Sequence, residues 1–436
     1  MNPNLEALKK NPKYNRSLRI ALMGTRGFPH SYGGFEALFI ELAPRLAERG
    51  HEVIVYNRRA LFKERPAFFK GVRLIYLPSI ETKNLGTMTH TLASVIDVLF
   101  RKVDVIFCVN VGNASHLILP RLFGKRVACS VDGLDWLRDK WGPFAKRYFH
   151  FNAKIVGKIC PKGIITDAYE MHRVYIDDFH TPSTCIAYGA NIETSTDGDV
   201  VKQYGLTPGQ YYLIASRMVP ENNADLIVEA FNRIKTDKVL AIAGNANYKS
   251  EFVEKLKQGA GPNVKFLGHV RSLDHVRELH CNCYAYVHGH MMGGTNPALL
   301  KALGFGNMVL ALDTPFNEEV VQDYGILFEK NVEDLERKLQ YVEDNPEMAA
   351  EYRRRAPDRI REAYTWDHIT DQYEELFLQL AAGDDPTCTH STVVSHPEAL
   401  ARTVEFREEP TVVSAANSAN PQVAERRERT FSAIFL

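Results

Sequence analysis

The chain lacks a long apolar run. No stretch reaches the eighteen or so residues of a membrane span, and the opening MNPNLEALKKNPKYNRSLRI has no apolar core of signal-peptide length. The protein is therefore expected to be neither integral nor secreted by that route. No charge of one sign is in excess: 53 Lys plus Arg balance 53 Asp plus Glu, which argues against bulk nucleic-acid binding. Cysteine is sparse and odd in number, seven residues without paired metal-ligand spacing. Only Cys281 and Cys283 lie close, one residue apart on an expected strand and so pointing the same way. A reducing, cytoplasmic compartment fits this pattern. What remains, 45% apolar and 24% charged, is ordinary globular composition, and 436 residues is enough for two large domains.

From about residue 18 to 327, short apolar runs alternate with helical patterns, the rhythm of βαβ units and a parallel sheet. Strands are expected at 18–23, 52–57, 105–110, 127–131 and 163–166, with helices at 36–49 and 89–100. Pro44 removes a backbone donor inside the first helix and is expected to kink it. The polar stretch 191–210, with Asp-Gly and Pro-Gly pairs, reads as a connection. Strands at 211–216, 239–244, 264–267, 283–288 and 308–312 and helices at 223–234, 249–257 and 297–305 then restart the pattern. The expected fold class is α/β, two Rossmann-like doubly wound domains facing across a cleft. Residues 1–16 form an N-terminal extension, 17–190 the first domain and 191–365 the second, with a helix at 366–382 packing back on the first. Residues 384–436, rich in Ser, Thr, Pro, Glu and Arg without periodicity, read as a disordered tail ending in the apolar FSAIFL.

Doubly wound sheets bind ligands at the carboxyl ends of their strands, so the loops there carry the function. The first strand runs into Gly24 to Glu36, a loop that is neither G-x-G-x-x-G nor a P-loop. Gly33 and Gly34 permit positive φ and close backbone approach, and Arg26 adds a fixed charge. In the second domain Gly293, Gly294 and Thr295 precede Asn296, a natural N-cap, and Pro297 at the first helical position. Free N–H groups at Ala298 and Leu299, with the helix dipole, are expected to hold a diphosphate. Arg217, closing strand 211–216, is placed to pair with phosphate oxygens.

The segments MGTRGFPHSYGGFE, SVDGLDW, SRMVPENN and HGHMMGGTNPALLKALGFGN, in this order, resemble the retaining glycosyltransferase family four of GT-B architecture, in particular its rhamnosyltransferase-like branch. The resemblance spans about residues 18–382. It implies a nucleoside-diphosphate sugar held mainly by the second domain, a saccharide or lipid-linked acceptor held mainly by the first, and no cofactor or required metal. It also implies that Gly33 and Gly34 line the phosphate or sugar side and that Arg217 contacts the diphosphate. Two departures stand out: Asn222 occupies a position where many members have Lys, and Gly293 and Lys301 occupy those of two Glu eight residues apart. The branch keeps the later Glu for the ribose hydroxyls. Lys301 has no acceptor and is left to donate to a phosphate or to mark altered or weakened activity.

Asp132, at a strand's end, is the candidate to orient or deprotonate the acceptor hydroxyl, with Asp135 as runner-up and a turn-capping role for Asp132 equally open. His288 and His290 are sugar-contact candidates; their neighbours do not supply a metal site. Between Trp136 and Lys162, seven basic residues interleave with aromatics against Asp139 alone. This is either a surface for anionic membrane, which suits peripheral association with the inner face of the plasma membrane, or a helix with a solvated basic face and a buried aromatic one. Three functional readings follow: sugar transfer, a nucleotide-sugar-binding partner or sensor with turnover weakened, and an epimerase, which lacks an evident acid and base pair.

Overall fold

The computed structural model describes residues 3–29, 33–82, 85–138, 141–244 and 251–386. His30, Ser31 and Tyr32 of the first glycine loop, and the expected tail beyond 386, lie outside the described residues. One sheet comprises β1 (Arg19–Met23), β2 (Glu52–Arg58), β3 (Phe68–Phe69), β4 (Val72–Leu77), β5 (Val105–Val109), β6 (Val127–Ser130), β7 (Ile164–Thr166) and β8 (Thr184–Cys185), in the order β3-β4-β2-β1-β5-β6-β7-β8. All its pairings are parallel except β3 with β4. The other comprises β9 (Tyr211–Ala215), β10 (Val239–Ala243), β11 (Val264–Gly268), β12 (Ala285–His288), β13 (Met308–Leu312) and β14 (Ile326–Phe328), in the order β11-β10-β9-β12-β13-β14, all parallel. These are the two Rossmann-like lobes of a GT-B fold.

Helices cover both faces of each sheet, so central strands such as β5 and β13 are buried at every position and read as unbroken apolar runs. The strands that escaped the sequence are short or of mixed pattern: β3, β8 and β14 span two or three residues, and half-exposed β4 mixes Arg and Tyr into its run. Cys281 and Cys283 do not share a strand. Cys281 ends the helix Leu273–Cys281, and Cys283 precedes β12. The helix Gly34–Glu48 continues through Pro44, which is buried against the sheet.

The chain crosses between lobes twice at one place. Ala190 donates its N–H to Tyr364 O at 2.8 Å, pairing the outgoing and returning strands of chain. The returning helix Trp366–Ala382 then lies on the first sheet, with Tyr373 and Phe377 packed 5.4 and 5.6 Å from Phe107 of β5. Its Glu374 is enclosed and meets Lys9, Arg49 and His51. Burial pushes that carboxyl up, but bonds from His51, Lys9 and Arg49 outweigh it and hold the pKa at about 2. Among the described residues no helix is long and apolar enough to cross a membrane.

Candidate active site

Strand order reverses between β9 and β12 in the second lobe, and the crevice at such a reversal is where an open parallel sheet accepts a ligand. Two loops flank it. After β9 comes Arg217, whose exposed guanidinium has no hydrogen bond or ion pair among the described residues. Its carbonyl accepts Asn222 Nδ2 at 2.8 Å, so the residue standing in place of a Lys fastens the turn that carries Arg217.

After β12 the chain reaches Gly293 and Gly294 and then the helix Pro297–Gly304. The donors expected at its start are already used: Ala298 N–H bonds Asn296 Oδ1 at 2.9 Å, and Leu299 N–H bonds Asn296 O at 3.1 Å. The unpaired donors lie one turn earlier. Among the described residues, the N–H groups of Gly293, Gly294, Thr295 and Asn296 meet no acceptor. Gly293 has φ +133°, a backbone shape that side chains other than glycine's rarely adopt.

The first-lobe glycine loop behaves differently from expectation. Gly33 is extended (φ −152°), so no positive φ is used there. The helix start it caps faces the protein's own carboxylate: Glu36 Oε1 accepts Arg26 N–H at 3.1 Å. Gly34 is nonetheless close to the opposite lobe, since a Cβ placed on it would lie 3.3 Å from Tyr188 Oη and 3.8 Å from Pro297 Cγ. The two glycine turns thus converge, while the unpaired donors belong to the second.

Beside them stands a pair of acids. Ser130 of β6 is level with Ile165 of β7, so Asp132 and Asp167, each two residues further on, emerge side by side. Tyr188 donates its hydroxyl to Asp132 Oδ2 at 2.8 Å. Asp167 is enclosed, and neither of its oxygens meets a conventional donor. Enclosure by protein pushes Asp132 up from the ordinary range, offset in part by Tyr188 and by the charge of Arg138. Burial, and then the charge of Asp132, push Asp167 well above it. Two neighbouring carboxyls that are both raised in this way are suited to hold one proton between them. Asp135 points elsewhere, accepting Trp141 Nε1–H at 3.0 Å.

The second lobe reaches this pair directly. Thr295 donates its hydroxyl to Asp167 O, and the Asp167 carboxyl lies against the Cα of Gly294. Glu319, on the helix Pro315–Val321, accepts Tyr169 N–H with both oxygens, at 3.0 and 2.9 Å, at the start of the first-lobe helix Tyr169–Phe179. Burial raises Glu319 to about 7 despite those bonds. Arg138, from the turn after β6, extends Nη2 to 3.7 Å from where a Gly293 Cβ would be, and its enclosed Nε has no hydrogen bond.

His288 and His290 stack with ring centroids 4.2 Å apart. His288 is fully buried, with Nδ1 3.2 Å from Tyr286 Oη, so it backs His290 rather than opening to the crevice. Burial, then the charges of Arg217 and Arg138, push His290 down to about 3, which keeps it neutral. His288 Nε2 and His290 Nδ1 are both unpartnered. Among the described residues no three His, Cys, Asp or Glu side chains are grouped to hold a metal ion. Lys301 is exposed, and its charge acts on buried His280.

The aromatics of the 136–162 segment mostly turn inward. Trp136 packs on Tyr175 and Phe179, Trp141 on Phe149. Phe144, 86% exposed, and Phe151 face solvent. A second apolar group lies where the helix Gly86–Leu99 ends beside the helix Ile118–Leu122: Phe100 (87% exposed), Leu122 (78%) and Phe123 (67%), joined by Lys125 Nζ donating to Arg101 O at 2.7 Å.

Sequence reasoning missed Asp167, Tyr188 and Glu319 and counted Arg138 only among surface bases. Asp167 had a signal, since it follows its buried strand as Asp132 follows the neighbouring one. Glu319 had none, because its partner lies 150 residues away.

Residues 201–359 match the family model described as glycosyl transferases group 1. Sequence comparison with curated proteins finds no match. Among solved structures, the chain is similar to a sucrose-phosphate synthase from Thermosynechococcus elongatus, with TM-score 0.70, 16% identity, and 85% of this chain and 100% of that one covered. It is similar also to a glycosyltransferase from Rickettsia africae (0.66, 14%, 84% and 99%) and to Anabaena HepE in complex with UDP (0.64, 15%, 82% and 98%). The chain therefore has the GT-B glycosyltransferase fold, and the part that matches the glycosyl transferases group 1 model lies in its second lobe.

Proposed function

We propose that the protein transfers a sugar from a nucleoside-diphosphate donor to a saccharide or lipid-linked acceptor, with retention and without a metal or cofactor. The observation that carries this reading is the convergence of unpartnered polar groups at the strand reversal. Arg217, four successive N–H groups at 293–296 and His290 Nδ1, none of them with a partner among the described residues, lie on the loops that follow β9 and β12, and Asp167 lies against Gly294 in the second of these loops. A buried polar atom without a partner is costly, so His290 Nδ1 and the Asp167 oxygens, left unpaired here, mark the place of a polar ligand. Departure of a diphosphate develops negative charge, and the guanidinium, the N–H groups and the dipole of the Pro297–Gly304 helix stabilise it. The acid pair, able to take or share one proton, suits the acceptor hydroxyl.

The resemblance to the rhamnosyltransferase-like branch favours rhamnose or another hexose, and that HepE was solved with UDP supports a nucleoside-diphosphate donor. The exposed Phe100, Leu122 and Phe123, beside Arg101, Lys102, Arg121 and Lys125, support contact of the first lobe with an anionic bilayer on the cytoplasmic side, as a lipid-linked acceptor requires. The test of donor use is a thermal-shift screen against nucleoside diphosphates and their sugars, followed by turnover with the donor that binds. Selective stabilisation by one base is expected; none by any member would end the reading. Sedimentation with anionic liposomes tests the surface, and no lipid-dependent pelleting at low salt removes it.

A further inference from the structure

The donor site of the second lobe is short of positive charge. Arg217 stands with Asn222 where many relatives of the resembled family carry a second cation, and the charge of exposed Lys301 acts on buried His280. On the other side of the crevice stands Arg138, whose charge acts on Asp132. Its side chain is only 17% exposed, it meets Asp135 at a loose 3.9 Å, and its enclosed Nε has no hydrogen bond among the described residues. A guanidinium buried with spare donors is expensive unless something anionic meets it.

Its position is set by the backbone. Arg138 N–H bonds Asp135 O at 3.3 Å and Arg138 O accepts Trp141 N–H at 3.2 Å, so the turn following β6 is closed on both sides of the residue. From there Nη2 comes within 3.7 Å of where a Cβ on Gly293 would stand, next to the run of unpaired N–H groups. The resemblance puts a Glu at position 293 in many members; a carboxylate there would pair with Arg138 and neutralise it. With glycine at that position the guanidinium stays available. The charges of both Arg138 and Arg217 act on His290.

We propose that Arg138 is the second cation of the diphosphate site, delivered from the first lobe across the crevice, so that the site is complete only when the lobes are together. This rests on the nucleotide-sugar reading above and adds to it. The donor's phosphates then bridge the lobes, with Arg217 on one side and Arg138 on the other.

The experiment is calorimetric titration of the full chain with UDP, GDP and dTDP, and with the matching nucleosides, on the wild type, Arg138→Ala, Arg138→Gln and Arg138→Lys. The expected result is about tenfold or greater weakening of the preferred diphosphate in the alanine variant, with the nucleoside changed less than twofold and lysine recovering part of the loss. Arg138→Gln keeps the side chain's length without its charge and is read instead wherever the alanine variant's unliganded melting temperature has dropped. Wild-type selectivity for a diphosphate with unchanged affinity in both neutral variants overturns the role of Arg138 alone. Failure of the wild type to bind any diphosphate overturns the nucleotide-sugar reading and this inference with it.

Discussion

The Asp167 carboxyl lies against the Cα of Gly294, so close that a Cβ on the glycine would fall within the van der Waals envelope of the acid. One residue ends a first-lobe strand and the other opens the second-lobe turn. A methyl group at 294 must push the lobes apart or turn Asp167 aside. Gly294→Ala is expected to lower sugar transfer at least tenfold and the melting temperature by an amount corresponding to about 1–3 kcal/mol. Adding Asp167→Gly should restore the melting temperature but not the transfer, as followed by calorimetry and turnover.

Arg217 has an exposed guanidinium without a hydrogen bond or ion pair among the described residues, so its removal costs the fold little. Arg217→Ala should leave the melting temperature within about 0.5 kcal/mol equivalent of wild type. Its kcat/KM should fall roughly 10²-fold, the scale of a lost charge-stabilising donor. Unchanged kinetics would remove Arg217 from the diphosphate site.

The buried acids make stability depend on pH in the reverse of the usual sense. Glu319 is raised to about 7 by burial, so the folded state binds its proton more tightly than the unfolded chain does. Its stabilisation is present below the ordinary glutamate range and is lost as pH rises towards 7, a swing of roughly 3 kcal/mol at most. Asp132 and Asp167, both raised, act in the same direction. Glu374 acts oppositely: held at about 2, its contribution is present above the unfolded range and lost as pH falls through that range towards 2. Melting temperatures from pH 5 to 8 should therefore fall more steeply for wild type than for Glu319→Gln. Parallel curves would show that Glu319 is ionised throughout.

Replacing Asp167 with Asn removes the charge repulsion within the pair while keeping the shape. Asp167→Asn should raise the melting temperature at pH 8, yet slow transfer by an order of magnitude or more and shift the pH–rate profile, because the pair no longer shares one proton. A faster or unaltered enzyme with the same profile would place the acceptor's proton elsewhere.

Lys301 is exposed on the donor-side helix, so Lys301→Glu carries little structural risk. If the protein's turnover is limited by the missing ribose acceptor, the substitution should increase donor affinity severalfold in the same titration and raise transfer. Equal or weaker binding would indicate a donor held without that contact.

Much of this was legible along the chain, for a local reason. Buried parallel strands such as β5 and β13 are apolar at every position, so they stand out against the helices between them whatever they pack on. The start of the Pro297–Gly304 helix was equally local, since Asn296 caps it and Pro297 suits its first turn. The same locality misled the choice of donors: the cap that announces the helix also uses up the N–H groups of Ala298 and Leu299.

By itself the sequence determined two doubly wound lobes and the loops at their strand ends, because periodicity and turn chemistry act over a few residues. Only the tertiary structure decided which groups meet there. Asp132 found Asp167 through β6–β7 register, Glu319 found Tyr169 across 150 residues, and Arg138 left the expected surface to face Gly293. Electrostatics and burial depend on distance in space, and no pattern along the chain encodes a separation between lobes.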